Sequence, residues 1–261
     1  MLKLRMLNAI APAYFCAATV ITFVLHFFLF IPTIFQTHNV MLSPIMLLHT
    51  TVLLFFMINA LGNYSMTIWF PSENCPDKVD AHYLQNGRHF CKLCKKVILK
   101  RDHHCFFTGN CIGNRNMRYF IMFSIYTSCT CLYSLVLGVA YLTMEYAISF
   151  ENPLMFLTLL PISTGYFFLG AISGVQFFLV IMLYVWLGIG MVSAGFCCQQ
   201  ILLVARGQTW CQLQKGQLVE SRGTWRSNLS DVFGSRWVLG LFLPVQTVDT
   251  TSENWHGHKH D

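Results

Sequence analysis

The sequence has very little charge for its length. Asp, Glu, Lys and Arg make up 11% of its 261 residues, whereas a soluble domain carries about 25%. The deficit is concentrated in three stretches that contain none of these four residue types, 6–72, 119–144 and 152–205. Each stretch is longer than the roughly 20 apolar residues that cross a bilayer. The shortage of charge excludes an ordinary soluble domain and predicts a polytopic membrane protein.

The hydrophobic residues of these stretches form four blocks, at about 11–35, 46–70, 119–141 and 175–204. Residues 152–205 are long enough for two spans, but a fifth span would place every basic residue after position 205 on the outer side. Residues that break helices also interrupt the first half of that stretch: Pro153, Pro161, Gly165 and Gly170. We therefore predict an all-α polytopic fold with four transmembrane helices, in which a segment before the fourth helix lies at the membrane interface.

The basic residues fall into three segments, 1–6, 71–118 and 206–261, which together contain all 17 Lys and Arg. Because basic loops remain in the cytosol, both termini and the central segment are predicted to be cytosolic. This divides the chain into four parts. They are 1–70 with the N-terminal tail and helices 1 and 2, the cytosolic segment 71–118, 119–205 with helices 3 and 4 and the luminal loop between them, and the cytosolic C-terminal region 206–261.

Eleven cysteines would indicate disulfides in a secreted protein, but four of them lie in the central cytosolic segment: Cys91, Cys94, Cys105 and Cys111. Thiols in the reducing cytosol are better interpreted as metal ligands or nucleophiles. Most of the others lie in apolar runs, where small buried side chains are the simpler interpretation. Lipidation of Cys197 and Cys198 is the alternative for that pair.

The central segment contains the pattern of a zinc site with ligands to spare. Cys91 and Cys94 form a C-x2-C half-site for tetrahedral zinc. The remaining ligands must come from a nearby set: His103, His104, Cys105 and Cys111. One His and one Cys complete the site and leave a second His–Cys pair beside the metal.

Such a surplus pair is what a catalytic thiol requires. An imidazole can take the proton of a thiol, and an aspartate can fix the imidazole tautomer. Asp102, His103 and Cys105 lie within four residues, and zinc on His104 would hold the loop so that His103 faces Cys105. The alternative is a purely structural zinc knuckle with Cys105 among the ligands.

Several motifs resemble those of the DHHC protein acyltransferases, or palmitoyltransferases. The Asp102-His103-His104-Cys105 tetrad is followed by Asn110-Cys111-Ile112-Gly113 and by Asn116 and Phe120 at the entry to the third span. Thr209-Trp210-Cys211-Gln212 resembles a degraded Thr-Thr-x-Glu motif, and 228–234 matches the family's Asn-x3-Val-Phe-Gly element. The family's cysteine-rich domain lies between the second and third of four spans, as the tetrad does here.

The resemblance implies a role for each residue of the central segment. Cys105 would be the acyl-enzyme cysteine, His103 the general base and Asp102 its orienting partner. The implied zinc ligands are Cys91, Cys94, His104 and Cys111. The implied reaction transfers a long acyl group from palmitoyl-CoA or a similar acyl-CoA to cysteines of membrane proteins or membrane-associated proteins that face the cytosol. The endoplasmic reticulum and the Golgi are the expected membranes.

The sequence also departs from the family pattern. The family usually binds two zinc ions, but Phe90 stands where His is usual, Val97 stands where Cys is usual, and no C-x2-C precedes His89. We therefore predict one zinc ion, with a partial second site from Cys75, His82 and His89 as the weaker alternative. Because Gln212 replaces the Glu of Thr-Thr-x-Glu, we expect a polar contact near the active site to be lost, and activity either to be reduced or to depend on a partner.

Two other classes of function compete with an enzyme. A non-catalytic membrane adapter would keep the fold, but the intact tetrad argues against it. A transporter or channel is disfavoured because no Asp, Glu, Lys or Arg lies in the spans, where such residues usually mark ion paths.

The basic residues of the central segment could attract acyl-CoA phosphates or anionic lipids, although charge that sets the topology explains them equally well. They are Lys92, Lys95, Lys96, Lys100 and Arg101. Binding of nucleic acid is disfavoured beside a membrane.

Overall fold

A computed structural model describes residues 2–35, 43–72, 88–113, 115–152, 154–216, 223–234 and 237–243. The first part contains α1 (Leu2–Leu25), a π-helical turn (His26–Phe30), α2 (Ile31–Phe35) and α3 (Pro44–Trp69). Four short strands follow, β1 (Arg88–Cys91), β2 (Lys96–Leu99), β3 (His103–Cys105) and β4 (Asn110–Ile112). The rest is helical: α4 (Met117–Tyr146), α5 (Met155–Phe168), α6 (Gly174–Ala205), α7 (Trp210–Gln214), α8 (Trp225–Phe233) and α9 (Trp237–Phe242).

Four helical segments are long and apolar enough to cross a membrane: Met6–Phe35, Pro44–Trp69, Met117–Tyr146 and Gly174–Ala205. The shortest has 26 residues, which corresponds to about 39 Å at the rise of an α-helix. The apolar helix α5 has only 14 residues and would reach about 21 Å, short of the roughly 30 Å hydrocarbon core. The predicted fold class with four membrane helices is confirmed.

The first span changes its hydrogen bonding near its end. From His26 to Phe30 the helix is π-helical, and the N–H of Ile31 bonds to the carbonyl of His26. Pro32 follows at once and has no N–H to donate, so it cannot continue the α-helical pattern. The wider turn coincides with this interruption.

The chain divides into two compact units. One comprises Ala13–Ala60 and Ser124–Cys197. Its core is apolar, with Leu53, Leu142 and Leu183 almost fully buried. A Cβ on Gly138 would lie 2.7 Å from the side chain of Leu183, so only glycine allows α4 and α6 to pack this closely there.

The other unit comprises Met1–Pro12, Leu61–Phe123 and Cys198–Asp261. It contains two antiparallel hairpins, β1 with β2 and β3 with β4. Within the described residues the strands are confined to 88–112. Six of the seven predicted site residues lie in these two hairpins, and Asp102 immediately precedes β3. Residues Cys75 and His82 of the alternative second site lie outside the described residues.

Candidate active site and metal centre

The hairpin of β3 and β4 sorts the Asp-His-His-Cys tetrad onto two faces. Side chains alternate along a strand, so His103 and Cys105 point to one face and His104 points to the other. His104 is paired with Cys111 across the hairpin, which places these two side chains on the same face. The turn between the strands requires Gly109, whose φ is 64°.

The face that carries His104 meets the C-x2-C turn of the other hairpin. Nδ1 of His104 lies 3.7 Å from Sγ of Cys91, 3.3 Å from Sγ of Cys94 and 3.7 Å from Sγ of Cys111. The four ligand atoms lie within 4.8 Å of one another. Tetrahedral zinc with bonds of about 2.3 Å to sulfur and 2.0 Å to nitrogen would separate its ligands by roughly 3.5–3.8 Å. The four side chains therefore fit a zinc ion.

The chemistry of these donors also fits a metal. Burial raises the pKa of the Cys94 and Cys111 thiols, and a divalent cation would offset the cost of their thiolates. His104 donates from Nε2 to Oδ1 of Asn8 at 3.0 Å. That bond leaves the lone pair of Nδ1 directed at the three sulfurs. Metal-ligating histidines typically have such an outer partner, which fixes the tautomer.

The opposite face brings together Asp102, His103 and Cys105. Nδ1 of His103 donates to Oδ2 of Asp102 at 2.7 Å, and the same imidazole hydrogen-bonds the thiol of Cys105. Burial would lower the pKa of His103, but its bonds to Asp102 and Cys105 raise it to about 9. Burial would raise the pKa of Cys105, yet His103 and then Thr108 bring it below its ordinary value. The arrangement favours a thiolate beside an imidazolium.

Asp102 is fully enclosed and receives two further donors. Its side chain has 0% exposure. Nε2 of Gln200 donates to Oδ2 at 2.9 Å, and the backbone N–H of Trp210 donates to Oδ1 at 2.6 Å. A buried carboxylate is costly unless its oxygens are bonded, and these contacts hold its orientation toward His103.

The degraded Thr-Thr-x-Glu motif keeps a polar contact. Thr209 is the N-cap of α7 and forms a capping box with Gln212. Oε1 of Gln212 accepts from the N–H of Thr209 at 2.9 Å. The expectation that Gln212 loses an anchoring contact is therefore wrong for this cap, because an amide oxygen accepts as a carboxylate does. The cap fixes the first turn of α7, whose Trp210 N–H contacts Asp102.

Other motif residues join the hairpins to the neighbouring helices. Asn116 is buried, and its Nδ2 donates to the carbonyls of Thr67 and Cys111 at 3.3 and 3.1 Å. The hydroxyl of Tyr64 donates to the carbonyl of Phe107 at 2.8 Å. Nδ2 of Asn228, the first residue of the Asn-x3-Val-Phe-Gly element, donates to the carbonyl of Ala205 at 3.0 Å and so caps the end of α6.

The positions that depart from the family pattern are neighbours in space. Phe90 and Val97 are directly paired across β1 and β2, so an apolar pair occupies the place where the family's His and Cys would face one another. Adjacent His89 accepts at Nδ1 from Nζ of Lys215 at 2.9 Å. Burial and then the charges of Lys215 and Arg101 lower the pKa of His89. Neutral His89 thus contacts the residue that follows α7.

The structure brings all seven predicted site residues together in two groups. The four predicted zinc ligands form one cluster, and Cys105 lies outside it.

Sequence reasoning missed Asn8, Gln200 and Thr108. Asn8 and Gln200 are separated from their partners by 96 and 98 positions, and neither belongs to a recognised motif. The only sequence signal is a polar side chain within an apolar run.

Comparison with known proteins gives a consistent result. The family profile described as DHHC palmitoyltransferase matches residues 78–217. The chain is 74% identical to Palmitoyltransferase ZDHHC22 of Danio rerio, over 99% of each protein. It is 49% identical to the human protein of that name, over 97% of this chain and 98% of the human one. A more distant match is Probable protein S-acyltransferase 13 of Arabidopsis thaliana, 29% identical over 62% of this chain and 48% of that protein.

Proposed function

The chain belongs to the DHHC palmitoyltransferase family and is a protein S-acyltransferase, and from this premise we propose that Cys105 carries the acyl group during transfer. The observation that supports this assignment best is the chain of contacts from Asp102 through His103 to Cys105. The adapter alternative is not favoured, because the chain retains all three groups.

The proposed reaction has two thioester exchanges. The Cys105 thiolate attacks the carbonyl carbon of acyl-CoA, a new S–C bond forms, and the CoA thiolate leaves and takes the proton held by His103. His103 then removes the proton of an acceptor cysteine, whose thiolate attacks the acyl-Cys105 carbonyl. Cys105 leaves as thiolate. Because each step exchanges one thioester for another, positioning must supply most of the rate.

One zinc ion is the proposed metal content, with Cys91, Cys94, His104 and Cys111 as its ligands. Bound there, zinc would hold the two hairpins together and supply no group to the reaction. The apolar Phe90–Val97 pair argues against a second ion at the position used by the family. His89 is engaged by Lys215, which further weakens the alternative partial site.

Palmitoyl-CoA or a similar acyl-CoA is the proposed donor, and cytosol-exposed cysteines of membrane proteins or membrane-associated proteins are the proposed acceptors. The four-part division at residues 70, 118 and 205, with cytosolic termini, is retained as a proposal because it follows the distribution of basic residues. The endoplasmic reticulum and the Golgi are the proposed membranes.

A single-turnover transfer assay tests the proposed function. Purified protein would be loaded with alkyne-tagged palmitoyl-CoA, freed of donor, and mixed with a membrane-anchored peptide bearing one cysteine. We expect hydroxylamine-sensitive label to leave the enzyme and to appear on the peptide in equal amount, whereas a serine peptide should receive none. Label that appears on the peptide without first residing on the enzyme would refute the two-step scheme.

Gln200 provides a test of how Asp102 is held. Replacing Gln200 with Leu removes a donor to a buried carboxylate and keeps a similar volume. A hydrogen bond to a charged group contributes roughly 1.5–3 kcal/mol, so we expect acyl-enzyme formation to slow by about tenfold or more. The effect should fall on the rate at saturating acyl-CoA and should leave the KM nearly unchanged.

The matched control is Gln199→Leu, the same change on the adjacent residue of α6. Gln199 is only half-buried, so its replacement should slow acyl-enzyme formation by less than about twofold, because substitutions away from buried polar networks usually have small effects. Equal losses in the two variants would mean that α6 tolerates no such change and that Gln200 has no special role.

A further inference from the structure

A cavity of about 490 Å³ opens beside the metal centre, a volume within the roughly 300–1,000 Å³ typical of small-molecule sites. Two of its lining residues are zinc-cluster cysteines, Cys94 and Cys111. The others include Pro71, Ser72, Asn110 and two cations, Lys96 and Arg115. None of the lining side chains among the described residues is acidic. Pro71 and Ile98 form its apolar part, and the two cations favour an anionic ligand.

The charge balance supports that preference. Lys96 and Arg115 contribute two positive charges. Three thiolates and a neutral histidine around one divalent zinc ion would leave one negative charge on the cluster. These described groups together would therefore keep a net positive charge. Lys96 and Arg115 are both exposed. The Arg115 guanidinium lies 5.9 Å from the centroid of the Phe70 ring, a contact that orients it.

The position of the cavity indicates the source of the anion. Pro71 lies two residues beyond the end of α3, and Arg115 lies two residues before the start of α4. Both helices are candidate membrane spans, so their ends mark the level of the headgroups. Trp69 is 74% exposed at the end of α3, as expected of an interfacial anchor. In the proposed cytosolic orientation this leaflet carries the anionic lipids.

We propose that this cavity binds the phosphate of an anionic phospholipid headgroup, with Lys96 and Arg115 as its cationic partners. The proposal rests on the cytosolic orientation given under the proposed function. Acyl-CoA carries the same phosphate chemistry, but a lipid headgroup is present at the level of the span ends without a separate binding step. A headgroup bound in this cavity, beside the zinc cluster, would anchor the β1–β2 hairpin to the cytosolic leaflet.

The test compares lipid retention by three forms of the full chain. They are the wild type, Lys96→Gln/Arg115→Gln, and the control Lys92→Gln/Arg206→Gln, which removes the same charge at exposed positions outside the cavity. Each would be placed in nanodiscs of phosphatidylcholine with a minor fraction of phosphatidylserine, and bound lipid would be measured by native mass spectrometry. Each basic contact contributes roughly fivefold, so loss of both should make the cavity variant bind phosphatidylserine about 25-fold more weakly.

The control should bind like the wild type, and the swap Lys96→Arg/Arg115→Lys should retain most of the binding. An equal loss in the control would overturn the proposal, because non-specific charge would then explain retention. Absence of selective retention by the wild type would also overturn it. Zinc content measured on every variant would exclude misfolding, and the swap variant provides the comparison where the Gln variant fails to fold.

A second arm separates the two phosphate sources. If the cavity variant raises the KM for acyl-CoA and leaves lipid retention unchanged, the anion is acyl-CoA and the lipid proposal fails. If free CoA leaves the retained lipid in place, the lipid assignment is supported. Labelling of Cys105 on the same preparations distinguishes failure of the proposed function, since lipid retention does not depend on acyl transfer.

Discussion

Cys105→Ser is expected to abolish the acyl-enzyme, with labelling by alkyne-tagged palmitoyl-CoA reduced on the order of a thousandfold or more. Serine keeps the shape of the side chain but forms no thiolate, and the hydrogen bond from His103 that lowers the pKa of Cys105 cannot ionise a hydroxyl. The measurement is hydroxylamine-sensitive label on the purified protein. Zinc content would verify that the variant is folded.

The matched control is Cys131→Ser, which makes the same replacement at a buried cysteine of α4. It should be labelled like the wild type. Equal label on the wild type and on Cys105→Ser would contradict the assignment, because another cysteine would then carry the acyl group. Absence of label from folded, zinc-loaded wild-type protein would favour the non-catalytic adapter instead.

The layout of the site could be predicted from sequence because the relevant residues are close together in the chain. Alternation along a single strand is enough to send His103 and His104 to opposite faces. The sequence indicated this separation without the strand, since zinc on one imidazole leaves the other free for the thiol. What the structure adds is the pairing of His104 with Cys111, which explains why Cys111 completes the metal cluster and Cys105 does not.

The residues that were missed come from distant parts of the chain. Asn8 belongs to the first helix and Gln200 to the last turns of α6, and each makes its bond only after the tertiary structure has formed. Their local sequence is apolar and carries no spacing that connects them with the tetrad. A single polar side chain in a span is usually explained by packing, so the sequence offered no reason to choose these two.

The boundaries of the four spans were predicted within a few residues, because their signal, like that of the tetrad, is local in the sequence. Charge-free stretches are long, uninterrupted features, and the bilayer sets their minimum length. At the Thr209–Gln212 motif the residue type alone suggested a lost contact, but the position requires only a hydrogen-bond acceptor. A capping box needs only a side-chain acceptor at its fourth residue, and Gln212 provides one.

Removal of one zinc ligand is expected to remove the metal and the acyl-enzyme together. Cys111→Ser leaves three of the four ligands, and its hydroxyl is a poor zinc ligand at neutral pH. Zinc in small structural sites contributes on the order of 10–16 kcal/mol of binding free energy that is also folding free energy. We expect zinc, measured by elemental analysis, to fall from one ion per chain to a small fraction of that, and Cys105 labelling to fall with it.

The comparison that gives this result its meaning is Cys211→Ser. Cys211 is a buried cysteine of the same unit but lies outside the metal cluster, so its variant should keep one zinc ion. If Cys111→Ser retained full zinc, Cys111 could not be a ligand, and the structural alternative with Cys105 in its place would regain support. Two zinc ions in the wild type would show that a second site exists despite the Phe90–Val97 pair. One ion that is lost with Cys111 would mean that a single metal holds both hairpins, so that the geometry of the Asp102–His103–Cys105 face depends on a metal it does not contact.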